Sequence, residues 1–147
     1  WPLLADARHA GVQRLVRDLN RLYRNTAALH ALDSVAAGFE WIDAQDAERS
    51  VYSWLRRDAE GGVVAVVCNM TPVPREGFRL GVPRAPAAWQ VVLDTDAAAY
   101  GGSGMGKGMG SGQHSSLLKV TDEPSHGRDR SISLTLPPLA TLFLAPA

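Results

Sequence analysis

Cysteine is almost absent from this sequence, since Cys68 is the only one among 147 residues. An internal disulfide is therefore excluded, and neither a Cys-x-x-Cys metal site nor a disulfide scaffold can be built. This cysteine usage fits a reducing compartment, so we expect a cytoplasmic protein. An excess of one charge is missing as well, because 15 basic and 15 acidic side chains cancel. The charge pattern argues against binding to nucleic acid or to an anionic membrane surface.

Long hydrophobic runs are also missing. A helix that spans a bilayer needs roughly 20 consecutive apolar residues, and no stretch approaches that length. The first residues, WPLLADARHAG, lack the basic start and the long apolar middle of a secretory signal. We expect no membrane span and no signal peptide. A length of 147 residues suits one domain with a small appendage.

An amphipathic helix is predicted near the N-terminus. Its apolar residues recur at spacings of three and four, and they are Val12, Leu15, Val16, Leu19, Leu22 and Tyr23. The opposite side carries Arg14, Arg17, Arg21 and Arg24, a row that is typical of a solvated face, with an anion site as the alternative. A second short helix is predicted over residues 26–33, TAALHALD, with Thr26 as its N-cap.

After Gly38 the pattern changes to short runs rich in valine, leucine and aromatic residues, which predict strands. About eight strands are expected, at residues 39–42, 49–57, 63–70, 77–81, 88–94, 116–120, 131–136 and 140–145. VVAVV is apolar on both faces, as in a central strand, whereas SISLTL alternates between a buried and a solvated face. The sequence predicts a mainly β fold: a helical segment at residues 1–35 and an antiparallel β-sandwich at residues 36–147.

The glycine-rich stretch YGGSGMGKGMGSG, residues 100–112, invites a nucleotide-binding interpretation. Gly101, Gly106 and Lys107 satisfy most of the phosphate-loop pattern, but Gly108 replaces the Ser or Thr that holds magnesium. The residues that follow are poor helix formers, so the helix N-terminus that binds phosphate is not expected. We therefore predict neither a nucleotide nor another cofactor, and we interpret residues 94–116 as a long, flexible connection between strands.

The remaining candidates for chemistry are few. His9, His30, His114 and His126 have no metal-ligand spacing, so no metal site is expected. Asp94 and Asp96 could pair as acid and base, but Asp residues at a strand end more often cap turns. Cys68, within a strand, is interpreted as a small buried hydrophobic residue. No catalytic residue is predicted.

Tryptophans on predicted strands are the remaining candidates for ligand contact. Trp41, Trp54 and Trp89 could stack on sugar rings from an exposed face, which makes them candidate glucan contacts. Large aromatic residues on sandwich strands more often belong to the core, and the sequence leaves both alternatives open.

Several longer phrases carry a resemblance to a known family. HAGVQRLVRDLNRLYR, GFEWID, NMTPVPREGFRLGVP, YGGSG and LPPLATLFLAP together resemble the C-terminal portion of bacterial glycogen branching enzymes of the α-amylase superfamily. That resemblance implies a (β/α)8 catalytic barrel upstream in the same chain, followed by an all-β C-terminal domain. It also implies that residues 12–24 are the last helix of the barrel.

The family cuts an α-1,4-glucan and transfers the cut segment to a 6-hydroxyl, which creates an α-1,6 branch. None of its catalytic motifs matches a position here, so the resemblance implies a non-catalytic fragment that supports the barrel, with α-glucan as a partner through the parent enzyme. The alternatives are a stand-alone carbohydrate-binding module and a nucleotide-binding switch. If the barrel is absent, the apolar face of the helix is expected to fold back on the sandwich, to pair with another copy, or to fray.

Overall fold

The computed structural model describes residues 2–106 and 117–147. The chain begins with one α-helix, α1 (Ala7–Asn25). The strands follow as β1 (Phe39–Asp46), β2 (Val51–Arg57), β3 (Val63–Asn69), β4 (Arg75–Gly81), β5 (Ala88–Asp94), β6 (Leu118–Lys119), β7 (Ser131–Leu136) and β8 (Ala140–Pro146). Short 3-10 turns lie at Pro2–Ala5, Ala27–Leu29, Ala36–Gly38 and Ala98–Tyr100. The predicted succession of helix and strands is confirmed.

Two antiparallel sheets build the β domain. One has six strands in the order β1-β2-β3-β8-β5-β6, and the other pairs β4 with β7. The side chains between the sheets form a single apolar cluster to which β2, β3, β5 and β8 contribute from one sheet and β4 and β7 from the other. The predicted antiparallel β-sandwich is therefore confirmed.

Alternation along the strands decides which side chains enter this core. In β2, Val51, Ser53 and Leu55 are buried between the sheets, and the residues between them point to the outer face. β3 is buried at every position, because a second apolar cluster covers its outer face. β7 departs from the prediction at one point, since Ser131 is buried rather than solvated. Its hydroxyl donates a hydrogen bond of 2.6 Å to the carbonyl oxygen of Glu123, which lies over this end of the strand.

The helix α1 has three distinct faces. Asp6 caps its N-terminus by accepting a hydrogen bond of 2.8 Å from the amide of Arg8. Gly11, Leu15, Asp18 and Leu22 recur at spacings of four and three, so they share one face, and this face lies against the β domain. Val12, Val16 and Tyr23 follow on the adjacent face and are 59%, 52% and 46% exposed. The arginines occupy the third face and are exposed, as predicted.

The predicted second helix is wrong. Residues 26–33 form a single 3-10 turn at Ala27–Leu29 followed by further turns, and the Thr26 side chain makes no capping hydrogen bond. Thr26 instead ends α1, because its amide donates to the carbonyl oxygen of Tyr23. The apolar residues here are needed to cover β3, where Ala28 and Leu29 pack on Val64, Val66 and Cys68. A compact turn places both against the sheet.

Candidate functional site

The three candidate tryptophans separate in the structure. Trp41 and Trp54 are cross-strand partners in β1 and β2, and their ring centroids lie 5.9 Å apart. Phe39 joins them at 5.0 Å from Trp41, so the three rings form an aromatic cluster on the outer face of the six-stranded sheet. Trp41 is 51% exposed and Phe39 is 38% exposed. Of the three tryptophans, Trp41 offers the largest surface to a ligand or a neighbouring domain.

Trp89 is wrong as a candidate glucan contact. It lies in β5 with 0% of its surface exposed, within the apolar cluster between the two sheets. The alternation of β5 explains this position, because Trp89 and Val91, two residues apart, both belong to the apolar cluster between the sheets. The ring fills the interior, so it presents no face to a sugar.

Next to the aromatic cluster, the end of α1 leaves a crevice against the sheet. The crevice has a volume of about 350 Å³ and is lined by Leu22, Tyr23, Leu29, Trp54, Val66 and Phe143. Polar contacts close its rim: the Tyr23 hydroxyl donates to Asp33 at 3.1 Å, and Arg56 pairs with the same carboxylate. These hydrogen bonds from Arg56 and Tyr23 lower the pKa of Asp33. The helical segment is thus anchored to the outer face rather than detached from it.

Asp94 and Asp96 cap a turn, as the commoner interpretation predicted. The amide of Asp96 donates to Asp94 Oδ1 at 2.8 Å, and Asp96 in turn accepts hydrogen bonds from the amide and the hydroxyl of Ser103. Burial raises the pKa of Asp94 to about 6. Among the described residues, nothing donates to its buried Oδ2 atom.

The YGGSG motif belongs to this turn. A Cβ added to Gly102 would lie 2.2 Å from the carbonyl oxygen of Asp96, so only glycine fits there. Gly101 adopts a φ of 88° as it ends the 3-10 turn at Tyr100. Hydrogen bonds join residues of this turn within the range 94–106, and the flexibility of the connection stays a prediction. Residues 107–116, including Lys107 and His114, lie outside the described residues.

Two of the described histidines, His30 and His126, make structural contacts, whereas His9 is exposed on α1. His30 packs on the ring of Tyr23 at a centroid distance of 5.3 Å. His126 lies between Ser125 and Asp43, an order reminiscent of a catalytic triad, but its Nδ1 accepts a hydrogen bond of 3.1 Å from the amide of Gly81. The Ser125 hydroxyl lies 3.1 Å from the carbonyl oxygen of Arg79, to which it donates. Because the Nδ1 atom of His126 already accepts a hydrogen bond from Gly81, it is not free to act as a base for Ser125. The hydrogen bonds of Ser125 and His126 instead fix the loop that joins β6 to β7.

Cys68 is a free, buried thiol on β3, as predicted. Its sulfur lies 3.1 Å from the Thr141 hydroxyl, and burial raises its pKa. A thiol in this environment remains protonated and unreactive. Within residues 2–106 and 117–147, no group of His, Cys, Asp and Glu side chains is placed to hold a metal ion.

Comparison with known proteins agrees with the observed architecture. A family model described as "Alpha amylase, C-terminal all-beta domain" matches residues 41–147, which include all eight strands except the first two residues of β1. The chain belongs to this family. The match begins inside β1, so α1 and the turns that follow lie outside the family's all-β domain.

Two relatives that match nearly the whole chain carry the same name. The chain is 52% identical over 147 residues to the "1,4-alpha-glucan branching enzyme GlgB" of Burkholderia vietnamiensis, covering 100% of this chain and 19% of that protein. It is 53% identical over 146 residues to the protein of the same name from Cupriavidus necator, covering 98% of this chain and 18% of that protein. The chain thus spans about a fifth of the length of these relatives. In the described part of the chain, no helix has the length and apolar character to cross a membrane.

The separation of α1 into a docked face and an exposed apolar face does not follow from the sequence pattern. The sequence pattern predicts one apolar face, whereas the structure docks the face that contains Gly11 and leaves Val12 and Val16 exposed. Gly11 is the signal in the sequence for the docked face. A glycine inside a helix lowers stability, and its usual reason is to let another segment pack closely against the helix.

Proposed function

We propose that this chain is the C-terminal part of a cytoplasmic glycogen branching enzyme, where it supports the catalytic barrel and supplies no catalytic group. The parent would cut an α-1,4-glucan and transfer the segment to a 6-hydroxyl. A retaining mechanism of this kind needs two carboxyl groups that face the sugar. The carboxylates described above instead cap turns or pair with arginine, so the reacting groups would come from the rest of the parent.

One observation favours the proposal that this chain supports the barrel. Val12, Val16 and Tyr23 form an exposed apolar stripe on α1, called the α1 stripe below, and it lies beside a face that is already docked on the sandwich. Burying large apolar side chains of this kind is favourable by about 1.5–3 kcal/mol each. A helix whose one face docks on the sandwich and whose next face remains apolar can join two structural units. The α1 stripe is therefore the surface that we assign to the barrel.

Substitution in the full-length parent tests this role. Val12→Asp combined with Val16→Asp places two charges on the α1 stripe, and Gln13→Asp adds one charge to an exposed polar position of the same helix as the control. In the 147-residue chain, both variants are expected to keep the wild-type melting temperature, because neither touches the docked face. In the full-length enzyme, the double variant is expected to lower thermal stability and branching activity, while the control does not. Equal behaviour of the two variants in the full-length enzyme would refute the proposal.

A second candidate function is an accessory contact with glucan chains, as in a carbohydrate-binding module. The half-exposed Trp41 favours it. The geometry of the aromatic cluster weakens it, since the Trp41 ring stands at 85° to Phe39 and 77° to Trp54 rather than in one plane with them. Titration of the 147-residue chain with maltooligosaccharides, followed by tryptophan fluorescence, distinguishes the functions. Saturable binding that is lost in Trp41→Ala would support the module, and a flat titration at millimolar ligand would exclude it.

A further inference from the structure

One end of the sandwich holds a cleft that the functions above do not use. Its volume is about 540 Å³, and its polar lining includes Arg49, Arg75, Glu76, Arg79, Ser125 and His126. Arg49 comes from the turn before β2, the residues from Arg75 to Arg79 from β4, and Ser125 and His126 from the loop that joins β6 to β7. The lining therefore includes three arginines, of which Arg75 and Arg79 lie on β4 and Arg49 lies in a turn distant from them in sequence.

A bulge in β4 places Arg75 in this cleft. Arg75 pairs with Leu136 and Phe78 pairs with Leu134, so Glu76 and Gly77 together oppose Thr135 alone. Gly77 adopts a φ of 63°, which favours glycine at the bulge. Because cross-strand partners point to the same side, the bulge turns Arg75 toward the inner side of the sheet, where Leu136 also lies. Its Nη2 atom there approaches the carbonyl oxygen of Arg49 at 3.3 Å.

The three arginines of the cleft differ in their carboxylate partners. Arg49 pairs with Asp46 at 3.4 Å, and Arg79 pairs with Glu123 at 2.6 Å. The Glu123 side chain is 60% exposed, so this second pair is a surface contact of small energy. Arg75 lies within ion-pair distance of no carboxylate in the described parts of the chain, and its Nε atom is buried there without an acceptor. Asp46, Glu123 and Glu76 together match the three arginines in number, and Arg75 is the arginine of the lining without a carboxylate partner in the described residues.

We propose that this cleft binds the phosphate group of a small phosphorylated molecule, with Arg75 as the principal contact and Arg49 and Arg79 beside it. Guanidinium groups match the geometry of phosphate oxygens through paired N–H donors. A neutral sugar is disfavoured, because Phe78 is 5% exposed and gives no ring face on which to stack. The cleft is larger than a bare phosphate ion needs and lies in the usual size range of small-molecule sites, roughly 300–1,000 Å³.

Calorimetric titration of the 147-residue chain tests the proposal with three probes: inorganic phosphate, glucose 6-phosphate and neutral maltose. We expect glucose 6-phosphate to bind more tightly than inorganic phosphate, with an affinity that falls as salt is added, and maltose not to bind. Arg75→Gln is expected to weaken glucose 6-phosphate binding by about tenfold or more, as for the loss of a hydrogen-bonded charge. Arg84→Gln is the matched control, because Arg84 is exposed and pairs with Asp129 outside the cleft.

A second variant keeps the test independent of folding. Glu76 is exposed, so Glu76→Gln leaves the core intact while it removes a negative charge from the lining. We expect this variant to bind glucose 6-phosphate more tightly than the wild type. The proposal is overturned if none of the phosphorylated probes binds at about ten millimolar, a concentration far above ordinary affinities for small molecules. It is also overturned if Arg75→Gln and Arg84→Gln bind equally well. This inference does not depend on the proposed function, since no branching activity enters the measurement.

Discussion

The Tyr100 hydroxyl donates a hydrogen bond of 3.1 Å to Asp18 Oδ2 and so joins the turn after β5 to the docked face of α1. Burial, followed by this bond to Asp18, raises the pKa of Tyr100 to about 12, so the hydroxyl remains a donor at neutral pH. Arg14 adds a hydrogen bond of 2.8 Å to the carbonyl oxygen of Ala99 beside it. The helix is therefore held by specific polar contacts as well as by apolar packing.

Removal of the Tyr100 hydroxyl tests this contact. Tyr100→Phe is expected to lower the free energy of unfolding by about 1–2 kcal/mol, because a half-buried carboxylate loses a donor. Tyr52→Phe is the control, since Tyr52 is exposed on β2 and is expected to change stability by less than about 0.5 kcal/mol. Urea denaturation measures both variants. Equal stability of the two would show that the Tyr100 bond does not hold the helix.

Gly11 provides a test in which two effects have opposite signs. In an exposed helix, Gly→Ala adds about 0.8–1 kcal/mol of helix propensity. Here the added Cβ would lie 2.4 Å from the backbone oxygen of Tyr100, which cannot rotate away. We expect the clash to dominate, so Gly11→Ala destabilises the chain while the control Gln13→Ala does not. A more stable Gly11→Ala variant in thermal denaturation would contradict the docked position of α1.

Asp94 makes stability depend on pH in a definite direction. Its pKa is about 6 in the folded state against an ordinary value of 3.8, so folding favours the protonated form. The stabilisation is therefore complete below pH 3.8 and is lost as the pH rises through about 6. Asp94→Asn keeps the shape without the charge, so we expect it to be more stable than the wild type at neutral pH. The difference between the two should shrink as the pH falls from about 8 to about 5 in denaturation series. A stability difference between wild type and Asp94→Asn that does not change with pH would show that Asp94 does not cause the pH dependence.

Glu40 makes stability depend on pH in the opposite direction, because its contribution is lost at acidic pH. Partial burial alone would raise its pKa, but hydrogen bonds from Arg57 and Arg128 outweigh burial and lower the pKa below its ordinary value of 4.5. The contribution is present above that value and is lost as the pH falls through the lowered pKa. Glu40→Gln should cost about 1 kcal/mol or less at pH 7, because the pair is partly exposed. The cost should shrink as the pH falls below 4.5, and a constant cost in a denaturation series over this range would contradict the contribution.

The sequence predicted the parts of the fold that local pattern controls. Strand positions followed from alternation in segments such as SISLTL, and α1 followed from its apolar spacing. Position relative to a partner was harder to predict, because it depends on contacts between residues distant in the chain. Trp89 illustrates this. Like Trp41 it lies on a predicted strand, yet it fills the core while Trp41 is half exposed. The cleft around Arg75 was missed for the same reason, because a bulge and three separate segments create it.

Labelling of a single cysteine on the α1 stripe tests the central claim most directly. Val16→Cys places a thiol on the exposed stripe, and Gln13→Cys places one on the exposed polar side as the control, while the native Cys68 is buried. In the 147-residue chain, a maleimide reagent is expected to label both introduced thiols rapidly. In the full-length parent protein, we expect position 16 to be protected and position 13 to react as before. Rapid labelling of position 16 in the full-length enzyme would contradict the assignment of this surface to the barrel.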